Sequence, residues 1–261
     1  MQLIRKSGEG RVGLIDEARG FAILCMVVYH GFYDLVYIFG VDIPLFDSPL
    51  VNALQVIFAG LFIFISGSAC AFSHSNFKRG LICFGLGMVM TAGTALFMPE
   101  ELILFGILHM LGVCMMLYPP CGWLLHKLPN WAGIGLLVLL FWFTYPLADG
   151  AVGFPPFWEL SLPRGLYELG WLSPLGFYGG GFFSADYFPL FPWLFLFLLG
   201  SYLGKFLKAG KGPRLIYATH SRFLAAAGRN TLVIYVLHQP VVYGILWVVF
   251  AVLGQMGVYS Y

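Results

Sequence analysis

Seven apolar runs, each close to 20 residues and each ended by charge or turn chemistry, restrict this chain more than any other feature. A helix of about 20 residues crosses roughly 30 Å of hydrocarbon. A backbone in lipid must satisfy its own polar groups, which leaves only helices or a closed barrel. The runs fall near 19–39, 51–73, 79–98, 102–120, 131–147, 188–207 and 230–253. Between them lie Asp42 to Pro49, Ser73 to Lys78, Pro99-Glu100-Glu101, Pro119-Pro120 and Lys208 to Pro213, all rich in turn formers. Charged residues make up 10% of the chain, against about 25% in a soluble domain. The expectation is an all-α integral membrane protein, a single domain over 1–261 with a bundle of about seven transmembrane helices. Asp16 is the expected N-cap of the first helix, and Asn230 or Thr231 that of the last. No cleavable signal peptide is expected, because the chain is polar to about Glu17 and the first apolar run lacks a small-residue cleavage site.

Charge placement orients the bundle. With a cytoplasmic N-terminus, 13 of the 14 basic residues, Arg5, Lys6 and Arg11 among them, fall inside, and only Arg164 falls outside. The reading is a multi-pass protein of the plasma (inner) membrane with an external C-terminus. Residues 148–187 are long, aromatic and rich in Gly and Pro, and their middle, 165–177, is apolar. A full crossing there would move the later basic loop outside, against the charge bias. An external re-entrant or lid segment is therefore expected, since irregular backbone at depth survives only against protein or a cavity. No internal repeat is visible.

Ionisable residues inside spans are costly and mark functional sites. Arg19 and His30 bracket the first span with ten residues between them. Eleven helical steps of about 100° return His30 to within roughly 20° of Arg19, about 16 Å further along the axis. Asp34 follows one turn later, either orienting His30 or solvated at the outer interface. Arg19 suits an anionic ligand entering from the cytoplasm, or a snorkelling anchor paired with Asp16. His109 and His238 also fall near mid-depth, as catalytic groups or as neutral imidazoles bonded between helices. Gln239 and Pro240 place freed backbone groups beside His238, which suits a cavity wall. Ser66 lies in the small-residue patch Ser66-Gly67-Ser68, a packing surface or part of the donor site. Asp186 is a substrate contact or the cap of the sixth span. Arg229 ends a basic stretch from Lys205 that suits anionic lipid or a polyphosphate. The five cysteines (Cys25, Cys70, Cys83, Cys114 and Cys121) show neither disulfide nor metal spacing and read as apolar packing. No metal and no nucleic-acid partner is expected.

Ile15-Asp-x-x-Arg-Gly-x-Ala with His30 eleven residues after Arg19 resembles the first helix of the transmembrane acyltransferase superfamily. Phe64-Ile-Ser-Gly67, Gly106-Ile-Leu-His109, Asp186-Tyr-Phe-Pro-Leu-Phe-Pro-Trp193 and Gly228-Arg-Asn-Thr-Leu-x-x-Tyr-x-x-His-Gln-Pro240 resemble, more narrowly, the bacterial relatives of heparan-α-glucosaminide N-acetyltransferase. The resemblance runs through nearly the whole chain. It implies transfer of an acetyl or short acyl group from cytoplasmic acetyl-CoA to a sugar amine or hydroxyl on the external side. The superfamily ties the first-helix arginine and histidine to activity, and those match Arg19 and His30. The heparan enzyme carries a further histidine in the loop after that helix, whereas Gly40 to Leu50 here has none.

The chemistry needs a base for the acceptor's proton and donors for the oxyanion. The expected assignment is His30, Asp34, His109 and His238 as catalytic groups. Arg19, Arg229 and Ser66 are expected at the acyl-CoA, and Asp186 and Gln239 at the acceptor. Acetyl-CoA, a carbohydrate-type acceptor and membrane lipids are the expected partners, and a homodimer stays open. A proton-coupled small-molecule transporter would also place His and Asp at mid-depth, but would move substrate without consuming CoA.

Overall fold

The computed structural model describes residues 12–125 and 127–255. Arg5, Lys6 and Arg11 lie outside the described residues. Among the described residues, seven helical segments are long and apolar enough to cross a membrane: Gly13–Ile38, Pro49–Cys70, Asn76–Phe97, Ile107–Leu125, Asn130–Asp149, Leu190–Lys208 and Thr231–Gln255. The chain is an all-α polytopic membrane protein. Its helices are α1 (Gly13–Tyr33), α2 (Pro49–Cys70), α3 (Asn76–Phe97), α4 (Ile107–Leu125), α5 (Asn130–Thr144), α6 (Leu190–Lys208), α7 (Arg214–Tyr217), α8 (Arg222–Arg229) and α9 (Thr231–Gln255). The chain divides into two compact units, residues 1–62 with 213–261 and residues 63–212, the boundary falling inside α2.

Several helix ends differ from the expectation. α1 begins at Gly13 after Val12, which makes no side-chain cap, so Asp16 lies in the first turn instead of at the N-cap. Asn230 joins two helices: its backbone N–H and its side-chain amide both donate to the Ala226 carbonyl of α8, and its own carbonyl accepts the Ile234 N–H of α9 at 3.0 Å. The Thr231 hydroxyl likewise turns back, donating to the Gly228 carbonyl at 2.7 Å. Pro119 and Pro120 lie within α4, on its exposed side, instead of ending it. Serines cap where sequence signals were weaker. Ser48 accepts from the Val51 amide, Ser75 from Lys78 and Ser221 from Leu224.

In the unit formed by 63–212, α2 and α6 meet backbone to backbone. A Cβ on Gly67 would stand 1.8 Å from the Phe197 carbonyl oxygen, and one on Gly200 would stand 1.9 Å from that of Phe64. The Ser68 hydroxyl, fully buried, donates to the Gly200 carbonyl at 2.8 Å. Small residues permit this approach, and close packing replaces a hydrophobic driving force that lipid does not supply.

Residues 150–189 of the same unit contain no helix of spanning length. A hairpin, β1 (Ala151–Phe154) and β2 (Trp158–Ser161), pairs Ala151 with Ser161 and Phe154 with Trp158. Two 3₁₀ turns follow, Arg164–Leu166 and Gly170–Leu175, so the apolar stretch 165–177 turns instead of crossing. The hairpin is regular structure in a segment whose Gly and Pro content predicts irregular backbone. The Tyr167 hydroxyl ties the segment down by donating to the Leu147 carbonyl at 2.6 Å. Burial, reinforced by Asp149, pushes that phenol up and keeps it a donor.

Candidate active site

In the unit formed by 1–62 and 213–261, α1 packs against α8 and α9. The approach to α8 is set by two glycines. A Cβ on Gly20 would stand 2.0 Å from the Leu224 carbonyl oxygen, and one on Gly228 would stand 1.8 Å from that of Asp16. Gly228 thereby brings its neighbour Arg229 to the stretch of α1 that carries Arg19. Arg19 is half-buried, 3.8 Å from Asp16, and Arg229 is exposed.

Glu17 fixes the start of α8. Its carboxylate, 6% exposed, accepts the Ser221 N–H at 2.9 Å and the His220 N–H, and lies 3.5 Å from the His220 ring. A buried anion at a helix N-terminus satisfies otherwise orphaned donors and favours the dipole.

Further along α1, His30 meets α9. Its Nδ1 lies 2.8 Å from Nε2 of His238, with the two rings tilted at 31°. Nδ1 of His238 lies 2.6 Å from the Tyr235 carbonyl oxygen, which can only accept. That nitrogen therefore carries the hydrogen. In a neutral His238 the lone pair is on Nε2, so His30 donates to it from Nδ1. The remaining lone pair of His30 is on Nε2, the arrangement of a base held by a second histidine.

At Asp34 the helix passes into a π-turn, Asp34–Ile38, where the Phe39 N–H reaches the Asp34 carbonyl at 2.9 Å. Such turns recur at functional sites, because the extra residue re-aims the side chains that follow. Asp34 is fully buried, and its Oδ1 accepts from the Gln239 amide nitrogen at 2.6 Å. The bond on the His30 ring thus comes from His238, while Asp34 holds Gln239, the next residue on α9. Pro240 follows inside α9 and leaves the Val236 carbonyl without its helical N–H.

The other expected site residues belong to the unit formed by 63–212. His109 is buried, with both ring nitrogens engaged. Nδ1 accepts the Gly106 N–H at 3.2 Å, and Nε2 lies 3.4 Å from the Thr91 hydroxyl, which donates to the Ile103 carbonyl. Asp186 accepts the Ile107 N–H at 3.2 Å. His109 and Asp186 therefore cap the first turn of α4 together, and Asp186 does not open α6, whose N-cap is Pro189. The segments they join also pair by backbone: Ala185 donates to Leu102 and Phe188 to Phe105. Ser66 is half-buried, and its carbonyl receives the Cys70 thiol at 3.6 Å.

Sequence reasoning missed Glu17 and the Tyr235 carbonyl. Glu17 lies next to Asp16 in a polar stretch, and its partners are more than 200 positions away. Only the serine cap at Ser221 hinted at a helix start there.

Residues 11–240 match the family model described as Heparan-alpha-glucosaminide N-acetyltransferase, catalytic. The matched span covers both members of the His30–His238 pair. No curated protein and no solved structure matches the chain.

Proposed function

The chain belongs to the heparan-α-glucosaminide N-acetyltransferase catalytic family, and on that premise we propose that it moves an acetyl group from cytoplasmic acetyl-CoA to a sugar amine or hydroxyl on the external side. The observation that carries this reading is the chain of bonds from the Tyr235 carbonyl through His238 to His30. It leaves His30 Nε2 as a proton acceptor in a segment of membrane-spanning length.

The acceptor's nitrogen or oxygen attacks the thioester carbonyl carbon while its proton passes to His30 Nε2. The tetrahedral oxyanion collapses, the carbon–sulfur bond breaks, and the imidazolium returns the proton to the departing thiolate. The products are the acetylated acceptor and free CoA thiol. His238 keeps the His30 ring in the reactive tautomer, and Gln239 and Asp34 brace the same stretch of α9. Arg19 and Arg229, at the α1–α8 crossing, meet the CoA phosphates, with the N-terminal end of α1 facing the cytoplasm as the basic-residue bias indicates. Glu17 already fills the N-terminus of α8, so the phosphates rest on guanidinium groups and not on that helix end.

The test is acetyl transfer by the protein in lipid nanodiscs, with labelled acetyl-CoA and glucosamine-type acceptors. A positioned base contributes about 10²–10⁴-fold, so His30→Ala should lose at least ~100-fold in kcat while staying folded. A folded His30→Ala protein with full transfer activity would refute the mechanism.

A further inference from the structure

Beside His30, but on another face of α1, a groove of about 270 Å³ runs between α1, the start of α2 and the loop 39–48. We propose that this groove holds the hydrocarbon tail of the acceptor, making the acceptor a glycolipid instead of a free sugar; the proposal rests on the acetyl-transfer reading above.

The lining decides the occupant. Cys25, Phe32, Leu45, Leu54 and Phe58 are among its walls, and Tyr29 and Gln55 are the lining residues whose side chains carry an oxygen or nitrogen. A sugar ring would lose its water there and gain almost no hydrogen bonds, which is costly, whereas an alkyl chain loses nothing. The rim residues Val28, Phe32, Leu45 and Leu54 are exposed. In a polytopic membrane protein such a rim opens toward lipid tails. From Cys25 to Phe32 the groove follows α1 for about 10 Å.

The groove shares one residue pair's neighbourhood with the site, because Tyr29, which lines it, directly precedes His30 on α1. Tyr29 and Phe46 line it, with ring centroids 5.2 Å apart, and the Tyr29 ring lies 5.8 Å from that of His30. Phe46 in turn packs 5.9 Å from Tyr37, whose hydroxyl donates to the exposed Asp47 carboxylate at 2.5 Å. A head group carried by a tail in the groove therefore meets aromatic faces and a carboxylate next to the helix turn that bears His30. Aromatic faces and an acid suit a neutral or amino sugar. An anionic phospholipid head would face like charge from Asp47, which argues against a bulk lipid as the intended occupant.

The experiment compares methyl and octyl β-glucosaminide as acceptors in nanodiscs, together with photo-crosslinking by an octyl glucosaminide bearing a diazirine near the chain end. The KM for wild type should fall about tenfold or more from methyl to octyl as the tail leaves water, and the part of that fall due to the groove, not to partition into the bilayer, is the part lost in the groove-filling variant. Crosslinks should map to 25–32 and 51–58. Leu54→Trp, which fills the groove, should raise the octyl KM toward that of the methyl compound. Equal KM values for the two compounds in wild type would overturn the proposal while leaving acetyl transfer intact. Crosslinks elsewhere, or crosslinks displaced by neutral phospholipid alone, would also overturn it. Crosslinks in the groove with no acetylation of either compound would instead refute the transfer reading and leave the groove a glycolipid site.

Discussion

Replacing Glu17 with alanine tests how α8 is held on α1. The carboxylate receives two backbone N–H groups at the start of α8, those of His220 and Ser221. A hydrogen bond to a charged group contributes about 1.5–3 kcal/mol, and an anion at a helix N-terminus about 0.3–1 kcal/mol more. The full sum overstates the loss, because the His220 side chain is 50% exposed and water can reach its end of the pair. Glu17 itself is only 6% exposed, so the carboxylate end of both bonds is shielded from water. The net cost of Glu17→Ala should be about 3 kcal/mol. Glu17→Gln keeps one acceptor oxygen but loses the charge, and should cost about half as much. Reversible unfolding in mixed micelles, followed by tryptophan fluorescence, measures both variants. Because α8 carries Arg229 to the α1 crossing, acetyl-CoA KM should rise several-fold in Glu17→Ala with kcat little changed. An alanine variant within about 0.5 kcal/mol of wild type would show that α8 is held by its glycine contacts alone, and the reasoning would be wrong.

Three further outcomes follow from the same geometry. His109→Ala should lower stability by about 2 kcal/mol, since it strips the Gly106 amide of its acceptor, while the folded fraction keeps its kcat; a loss as deep as that of His30→Ala in a stable protein would instead assign His109 a catalytic role. Gly200→Ala forces a methyl to within 1.9 Å of the Phe64 carbonyl and should cost more than about 3 kcal/mol or abolish folding, whereas Ser68→Ala nearby should cost only about 1 kcal/mol; equal costs would contradict the backbone contact. His238→Ala should reduce kcat without moving acetyl-CoA KM, and His238→Gln, which can still accept from His30, should recover part of the loss; an unchanged kcat in both would remove His238 from the positioning role.

The spans were legible in the sequence because hydropathy over 20 residues is a local, additive property, and the seven runs and the non-spanning stretch after α5 follow from it. His30 stood out for an equally local reason: an imidazole within an apolar run needs a partner. What only the tertiary structure decided is which partner. His238 lies 208 positions from His30, and Gln239 lies 205 from Asp34. For His109 the structure likewise supplies the partners, the Gly106 N–H at the start of its own helix and the Thr91 hydroxyl. Helix ends misled where the polar residue fell inside the first turn, as Asp16 does in α1. In water an amphipathic stripe tells which face of a helix looks inward. Here the spanning helices are apolar on most sides, so hydropathy alone does not give the rotation of α1 against α8 and α9. That rotation is set by the approach of Gly20 and Gly228 to facing carbonyls, contacts that exist only once the helices have met.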